Sequence, residues 1–243
     1  MTPDVSLWAD FAVASAAIFA GSVLQGAVGY GLALVAAPIL YLVDERLVPA
    51  PLLLTALLLT VSSAYRDRHA IDFKGLVWGT VGRIPGTVVG AAILAVLPPD
   101  RLAAPLGLIV LLAVAMSASG MRLRPGPATL LFAGLLSGIM GTTSSIGGPP
   151  IAMVYQHSPG DQLRGTLGGF FVLGCLLSLI GVASVGRLGV YELGWGAALL
   201  PAVGLGFTVS SRLTPWIDRG YTRPAVLAVA AVGGVGVLIR QLW

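Results

Sequence analysis

Apolar residues fill this chain in long runs that only short polar segments interrupt. Six of the runs have the length of one helix, at residues 47–65, 75–97, 102–121, 165–185, 191–211 and 224–242. A predominantly apolar run of about 18 residues or more is typical of a helix that crosses a membrane. The pattern therefore predicts an all-α polytopic membrane protein, with residues 1–243 as a single integral membrane domain.

Two other runs are longer and contain residues that disfavour a helix. Residues 8–43 would form a helix about 54 Å long, whereas the hydrocarbon core of a bilayer is about 30 Å thick. They contain Gln-Gly-Ala-Val-Gly-Tyr-Gly at residues 25–31, and residues 127–155 contain Gly-Thr-Thr-Ser-Ser-Ile-Gly-Gly-Pro-Pro at residues 141–150. Because Gly and Pro disfavour continuous helix, each run is predicted to break into two helices.

A helix break inside a membrane leaves backbone N–H and C=O groups without partners in the helix. Each such group is costly in lipid unless protein, water or a ligand binds it. The breaks therefore favour a buried site at which a ligand meets bare backbone. The alternative interpretation is that the small residues only allow helices to pack closely.

The two halves of the chain follow the same layout, a broken run and then three spans. Matched residues recur at an offset of 117, in the pairs Trp78 and Trp195, Gly79 and Gly196, Pro98 and Pro215, Asp44 and Asp161, and Gly31 and Gly148. We predict two pseudo-symmetric repeats, at residues 6–122 and 126–242. Internal repeats are common in secondary transporters, where the substrate site lies at the repeat interface.

The charges of the loops bear on how the broken runs cross the membrane, since cytoplasmic loops carry an excess of Lys and Arg. If both broken runs are re-entrant hairpins, the basic segments at 66–74, 122–124 and 212–223 and Arg164 all face the cytoplasm. If both runs span fully, the arginines of 212–223 face outward. The charges favour the first arrangement, an inverted repeat in which a re-entrant segment precedes three transmembrane helices.

Arg83 is a charged residue well inside the apolar run 75–97. An ionisable residue at membrane depth is costly and marks a functional site by default. Its guanidinium is suited to clamping an oxyanion with two hydrogen bonds. The alternative is that Arg83 extends to the membrane interface, since it lies near the basic loop that contains Lys74.

The two breaks offer further groups that suit an anion. The N-terminus of a half-helix presents free N–H groups and the positive end of a dipole. Ser and Gln side chains add donors, although Gln25 alternatively forms a hydrogen bond between helices, and Tyr30 either donates its phenolic O–H or lines the gap. The predicted substrate-binding residues are Gln25, Gly29, Tyr30, Gly31, Arg83, Ser144, Ser145, Gly147 and Gly148.

Composition and missing motifs exclude several classes of function. Only 10% of residues are charged, and the net charge of +4 is explained by short basic loops rather than by nucleic-acid binding. No Asp, Glu or His lies deep in an apolar run, and the sequence has neither a Walker motif nor a cluster of metal ligands or a nucleophile–base pair. We therefore expect no enzyme, no cofactor and no metal. The single cysteine, Cys175, is predicted to be a buried small residue.

Taken in order, these motifs resemble the sulfite exporter TauE/SafE family, also called the toluenesulfonate uptake permease family. The similar features are the Gly-rich break at residues 25–31 followed by Pro38, the pattern of Pro85, Gly86 and Gly90, and the Ser-Ser-Ile-Gly-Gly-Pro-Pro at residues 144–150. The resemblance implies a bacterial-type inner-membrane transporter of small sulfur-containing anions, such as sulfite, sulfonates or sulfoacetate, with seven or eight membrane segments.

The sequence therefore predicts a multi-pass secondary transporter or facilitator in the cytoplasmic membrane, whose partners are a small anion and the lipid bilayer. Two other functions stay open, a passive anion channel and a membrane scaffold or accessory subunit that transports nothing. The oligomeric state also stays open, and a homo-oligomer is compatible with the sequence.

Overall fold

The computed structural model describes residues 4–98, 101–121, 123–217 and 231–239, and most of these residues are helical. Within these ranges there is no β-strand, as the hydrophobic pattern predicts. The helices are α1 Asp4–Val28, α2 Leu32–Val43, α3 Ala50–Arg66, α4 Phe73–Val96, α5 Ala103–Ala118, α6 Pro127–Ser144, α7 Gly148–Tyr155, α8 Gly160–Ser184, α9 Val190–Ala198 and α10 Leu200–Ile217. A further helical segment covers 231–239.

Five helical stretches of the described residues are long and apolar enough to cross a membrane. They are Leu7–Val28, Glu45–Arg66, Phe73–Val96, Gly160–Ser184 and Val190–Arg212. Leu32–Val43 and Ala103–Ala118 are shorter apolar helices. The prediction of an all-α polytopic membrane protein is confirmed.

Both predicted helix breaks are present. The helix α1 ends at Val28 and α2 begins at Leu32, while α6 ends at Ser144 and α7 begins at Gly148. Residues with positive φ lie between them, since Gly29 has φ 102° and Gly31 has φ 131° in the first break, and Ser145 has φ 65° in the second. Such angles end a right-handed helix and turn the chain.

Each break turns the chain back on itself, so that a short helix returns along a long one. A Cβ atom on Gly21 of α1 would lie 2.8 Å from the carbonyl oxygen of Leu32, at the start of α2. In the second break, a Cβ atom on Gly147 would lie 3.0 Å from the carbonyl oxygen of Ser137 in α6. Both broken runs are therefore helical hairpins. The position of each hairpin in a bilayer remains a prediction.

The helices α4 and α6 pack with their backbones almost in contact. A Cβ atom on Gly82 would lie 2.1 Å from the carbonyl oxygen of Leu131, and one on Gly134 would lie 2.1 Å from that of Gly79. Small residues at a helix interface allow this approach in membranes. It brings Arg83 of α4 against the second hairpin.

One of the predicted span boundaries is wrong. The helix α8 begins at Gly160, so Asp161 and Arg164 lie within its first turns and not before the span. An acidic residue in the first turn complements the helix dipole, which favours the earlier start. The predicted span 191–211 is confirmed as the apolar stretch Val190–Arg212. Its helix is interrupted at Leu199, between α9 and α10, because Pro201 lacks the N–H that would continue the hydrogen-bond ladder from α9.

The last predicted span, 224–242, overlaps the described residues only at 231–239, which are helical. Arg219 and Arg223 lie outside the described residues. The element order is the same in both halves from α1 to α4 and from α6 to α10, with α9 and α10 together matching α4. The repeat boundaries 6–122 and 126–242, and the inverted symmetry between the halves, stay predictions.

Candidate functional site

A pocket lies where the two hairpins meet. A Cβ atom on Gly148 of the second hairpin would lie 3.2 Å from Cβ of Tyr30 in the first. The pocket has a volume of about 40 Å³, and α3, α4 and α8 complete its walls. Seven of the nine sequence-predicted site residues line it, namely Gln25, Tyr30, Gly31, Arg83, Ser145, Gly147 and Gly148.

The two remaining predicted residues lie next to the pocket but do not line it. Gly29 faces α8, where a Cβ atom on it would lie 3.2 Å from Cα of Arg164. Ser144 is fully buried, donates a hydrogen bond from Oγ to the carbonyl oxygen of Met140 and accepts one from the N–H of Ile146. Both residues shape the breaks and do not face the cavity.

The N-termini of both short helices lie at the pocket. The N-cap residues of α2 and α7, Gly31 and Gly147, have no side chain with which to cap the helix, and both line the cavity. In α2 the N–H of Leu32 donates to Oε1 of Gln25 over 3.1 Å. Two helix dipoles therefore direct their positive ends toward one cavity.

Arg83 is the charged residue at this site, and only 2% of its surface is exposed. Its Nη1 donates to Oγ of Ser137 over 2.7 Å, and its Nη2 donates to Oγ of Ser178 over 3.3 Å. The guanidinium carbon lies 5.1 Å from the centroid of the Phe170 ring. Hydroxyl groups and an aromatic ring therefore hold the cation in place.

Three glycines make room for the guanidinium. A Cβ atom on Gly174 of α8 would lie 2.4 Å from Cζ of Arg83, and one on Gly141 of α6 would lie 2.7 Å from Nη2. A Cβ atom on Gly147 would lie 3.1 Å from Nη1. Side chains at these positions would displace the cation, so the glycines act here by leaving space and not by their backbone angles.

Hydroxyl groups connect Arg83 to the second break. Ser137 accepts a hydrogen bond from Arg83 and donates one to the carbonyl oxygen of Gly147. Ser178 lies 2.9 Å from Oγ1 of Thr142. Charge-assisted hydrogen bonds are stronger than neutral ones, so this network fixes the geometry of the break around the cation.

The positive charge of Arg83 has no carboxylate opposite it among the described residues, whose ion pairs all lie elsewhere. Its Nε is buried and has no hydrogen-bond partner. An unpaired charge in a low-dielectric interior is expensive. The pocket therefore has the electrostatic properties of a site for an anion.

Several pocket residues are absent from the sequence-based prediction. Thr60, Phe171 and Cys175 line the cavity, and Ser137 and Ser178 hold Arg83. Each lies singly in an apolar run, where the sequence offers no motif to mark it. The only sequence signal for such a residue is that it is polar and lies in a membrane span. This signal does not show which other helix the residue contacts.

The fold and the pocket together define a multi-pass helical membrane protein with a buried cationic cavity. A sequence profile of the family described as sulfite exporter TauE/SafE matches residues 13–237. The chain therefore belongs to the sulfite exporter TauE/SafE family, whose members are membrane transporters of sulfite and related sulfur-containing anions and not enzymes. Searches of curated proteins and of solved structures gave no match.

Proposed function

We propose that this protein is a secondary transporter or facilitator of a small sulfur-containing anion, of the sulfite, sulfonate or sulfoacetate type, in the inner membrane. The observation that carries the proposal is the buried guanidinium of Arg83, which faces the pocket and has no described carboxylate as counter-ion. A bound anion would supply the missing negative charge.

The proposed binding mode uses groups of three kinds. The guanidinium has five N–H donors, of which hydrogen bonds to Ser137 and Ser178 use two, so donors remain for an oxyanion. The N-termini of α2 and α7 add favourable dipoles and backbone N–H groups, of which the N–H of Leu32 already donates to Gln25. Pro149 and Pro150 lack N–H groups, so Gly147 and Gly148 carry the amides that the helix itself leaves free at the start of α7.

The hairpins supply a means of alternating access. The contact from Oγ of Ser145 to the carbonyl oxygen of Pro49, over 3.0 Å, joins the tip of the second hairpin to the start of α3. Movement of one half of the protein against the other would break such contacts on one side of the pocket while contacts on the other side persist. This is the usual mode of transporters built from two repeats.

The test is uptake of radiolabelled sulfite into proteoliposomes that contain the wild type, Arg83→Gln or Arg46→Gln. Arg46 is the matched control, because it is also an arginine but its side chain is 50% exposed and paired with Glu192. We expect saturable uptake by the wild type and the control, and none above protein-free liposomes by Arg83→Gln.

Normal uptake by Arg83→Gln would overturn the role of the cation. Uptake that does not saturate with sulfite would indicate the passive channel. A protein whose melting temperature responds to none of sulfite, sulfate, thiosulfate, taurine or sulfoacetate would indicate a scaffold.

A further inference from the structure

The end of α7 that points away from the pocket is bonded to the first half of the chain. The helix ends at Tyr155, whose Oη donates to Oδ2 of Asp72 over 2.8 Å. Asp72 is also the N-cap of α4, where its Oδ1 accepts from the N–H of Gly75 over 3.0 Å. A Cβ atom on Gly75 would overlap Oη of Tyr155, so a glycine is needed there. One carboxylate therefore caps α4 and holds the end of α7.

The same kind of contact occurs at the end of the other short helix, α2. This helix ends at Val43, and Asp44 is its C-cap. Oδ2 of Asp44 accepts a hydrogen bond from Oη of Tyr191, which lies in the first turn of α9. The end of α2 is therefore bonded to the second half of the chain.

The two contacts occupy matching places in the two halves. The helices α2 and α7 are the short helices of the two hairpins, and α4 and α9 begin the long helical stretches that follow two elements later. Each contact joins the short helix of one half to the long helix of the other. The partners are exchanged, since α2 supplies the aspartate and α7 supplies the tyrosine. A contact that recurs in this way points to a function common to both hairpins.

The contacts lie at opposite ends of the helix bundle. The helix α3 begins six residues after Asp44 and ends six residues before Asp72. It has 17 residues, which correspond to about 26 Å. One contact therefore lies near each end of α3, and the two short helices approach the pocket from opposite sides.

Both short helices carry pocket residues at their other ends. Gly31 begins α2, Gly147 and Gly148 begin α7, and all three line the pocket. With 12 and 8 residues, the helices are only about 18 and 12 Å long. Because backbone hydrogen bonds make so short a helix move as a rod, a bond at its far end sets the position of its amides at the pocket.

We infer that both tyrosine–aspartate contacts position the anion-binding ends of the short helices. Tyr155 and Asp72 hold the N-terminus of α7 at the pocket. Tyr191 and Asp44 hold that of α2. The inference rests on the proposed function, in which the amides at these N-termini bind the anion. The hold on α7 is the firmer, because Tyr155 is buried whereas 37% of the surface of Tyr191 is exposed, and a buried hydrogen bond to a carboxylate is the stronger one.

The first test is hydrogen–deuterium exchange of the full-length protein in lipid nanodiscs. Phenylalanine keeps the ring of each tyrosine and removes only the hydroxyl. We expect Tyr155→Phe to raise the exchange rate of the α7 amides about tenfold and to leave α2 unchanged. Tyr191→Phe should raise the rate of the α2 amides about two- to threefold and leave α7 unchanged. The matched control, Tyr65→Phe, should equal the wild type, because 69% of the surface of Tyr65 is exposed.

The second test is the kinetics of sulfite uptake into proteoliposomes by the same variants. Misplaced amides weaken anion binding, so Tyr155→Phe should raise the KM for sulfite about tenfold and keep kcat within about twofold. Tyr191→Phe should raise the KM less, and Tyr65→Phe should not change it. A purely structural loss would reduce the amount of active protein, and hence the rate, without a change in KM. The separation of KM from kcat therefore distinguishes positioning from stability.

Unchanged exchange in Tyr155→Phe, or an equal rise in both short helices, would overturn the inference. Faster exchange of α7 with an unchanged KM would also overturn it, since the helix would then be held without effect on the anion. If Tyr155→Phe does not give a monodisperse protein, Asp72→Asn replaces it, because asparagine still caps α4 but offers the tyrosine only a neutral acceptor. A rise confined to α7 is expected there as well, and its absence would overturn the inference. Exchange requires no transport, so a wild type without sulfite uptake would contradict the proposed function alone.

Discussion

The two helix breaks have the same backbone plan and different chemistry. In the first, Gly29 and Gly31 adopt the positive φ angles, and the amide of Gln25 binds the first N–H of α2. In the second, Ser145 adopts the positive φ angle, and serine and threonine hydroxyls occupy the surrounding α6. In the first break, the side-chain amide of Gln25 from the same hairpin caps α2. The second break is instead arranged around the guanidinium of Arg83, which comes from α4.

The predicted repeat allows the two halves to be compared residue by residue. At an offset of 117, Leu200 stands where Arg83 does, and Ala20 stands where Ser137 does. Leu200 lines an apolar groove on the surface with Leu54, Leu57, Leu58 and Val61. Both halves therefore contribute backbone to the pocket, while the charge comes from the first half and the hydroxyls that hold it come from the second. The polar groups of the pocket are therefore not repeated between the halves, although the order of the helices is.

The largest effect is expected when the charge is moved to the other half. In the double variant Arg83→Leu with Leu200→Arg, the net charge is unchanged, but the new arginine meets an apolar groove without hydroxyl partners. We expect no uptake of sulfite into proteoliposomes. Arg83→Lys is the comparison, because it keeps a cation in the pocket and should retain weak uptake. Uptake by the double variant at the wild-type rate would show that the position of the charge is immaterial.

The second effect concerns the space around the cation. In Gly174→Ala, the new Cβ would lie 2.4 Å from Cζ of Arg83, so the guanidinium must move. A displacement of about 1 Å at a site can reduce rates by about a hundredfold, and we expect the KM for sulfite to rise by about ten- to a hundredfold.

Gly169→Ala is the matched control for this variant, because it lies on the same helix and the nearest atom to its Cβ would be 3.6 Å away. Its KM for sulfite should equal that of the wild type. Equal values for Gly174→Ala and Gly169→Ala would contradict the role of the space at residue 174.

The fold and the breaks were predictable from the sequence because both depend on local chemistry. Apolar runs give membrane helices, and Gly and Pro interrupt them. The breaks near residues 29–31 and within residues 141–150 follow from this alone. The split at Leu199 was missed, although Pro201 is visible in the sequence, because the surrounding run is continuous and transmembrane helices often contain proline.

The site was only partly predictable, for a different physical reason. Arg83 is conspicuous in any apolar run, but its partners Ser137 and Ser178 lie on two other helices. Their contact with Arg83 depends on the close packing of α4 with α6, which the sequence suggests only as scattered glycines. Asp72 was likewise assigned to a basic loop, whereas its contact with Tyr155 arises only after α4 and α7 have packed.

A smaller effect, on stability, is expected at the first break. Gln25→Leu leaves the buried N–H of Leu32 without its acceptor, which costs about 1–3 kcal/mol. For a chain of this length the melting temperature should fall roughly 2–4 °C for each kcal/mol. The measurement is thermal unfolding of the purified protein in detergent, followed by light scattering and tryptophan fluorescence.

Thr142→Val is the matched comparison at the second break, because residue 142 stands 117 positions after Gln25. It should cost less, since Ser178 keeps its bond to Arg83 when Thr142 is replaced. A larger loss for Thr142→Val than for Gln25→Leu would mean that the hydroxyl network, and not the amide, is the main support of the breaks.

The smallest effect is expected when the second break is made to resemble the first. Ser145 holds φ 65° and donates to the carbonyl oxygen of Pro49. Ser145→Ala keeps the unfavourable backbone angle and loses the hydrogen bond, so it should cost about 0.5–1.5 kcal/mol. Ser145→Gly loses the same bond but relieves the left-handed strain, which is worth about 1 kcal/mol, so its melting temperature should lie close to that of the wild type.

A melting temperature that falls in the order wild type, Ser145→Gly, Ser145→Ala would show that the two breaks reach the same turn by different residues. If the glycine variant melts below the alanine variant, the backbone angle of Ser145 carries no cost, and the serine is present for its hydrogen bond to α3 alone.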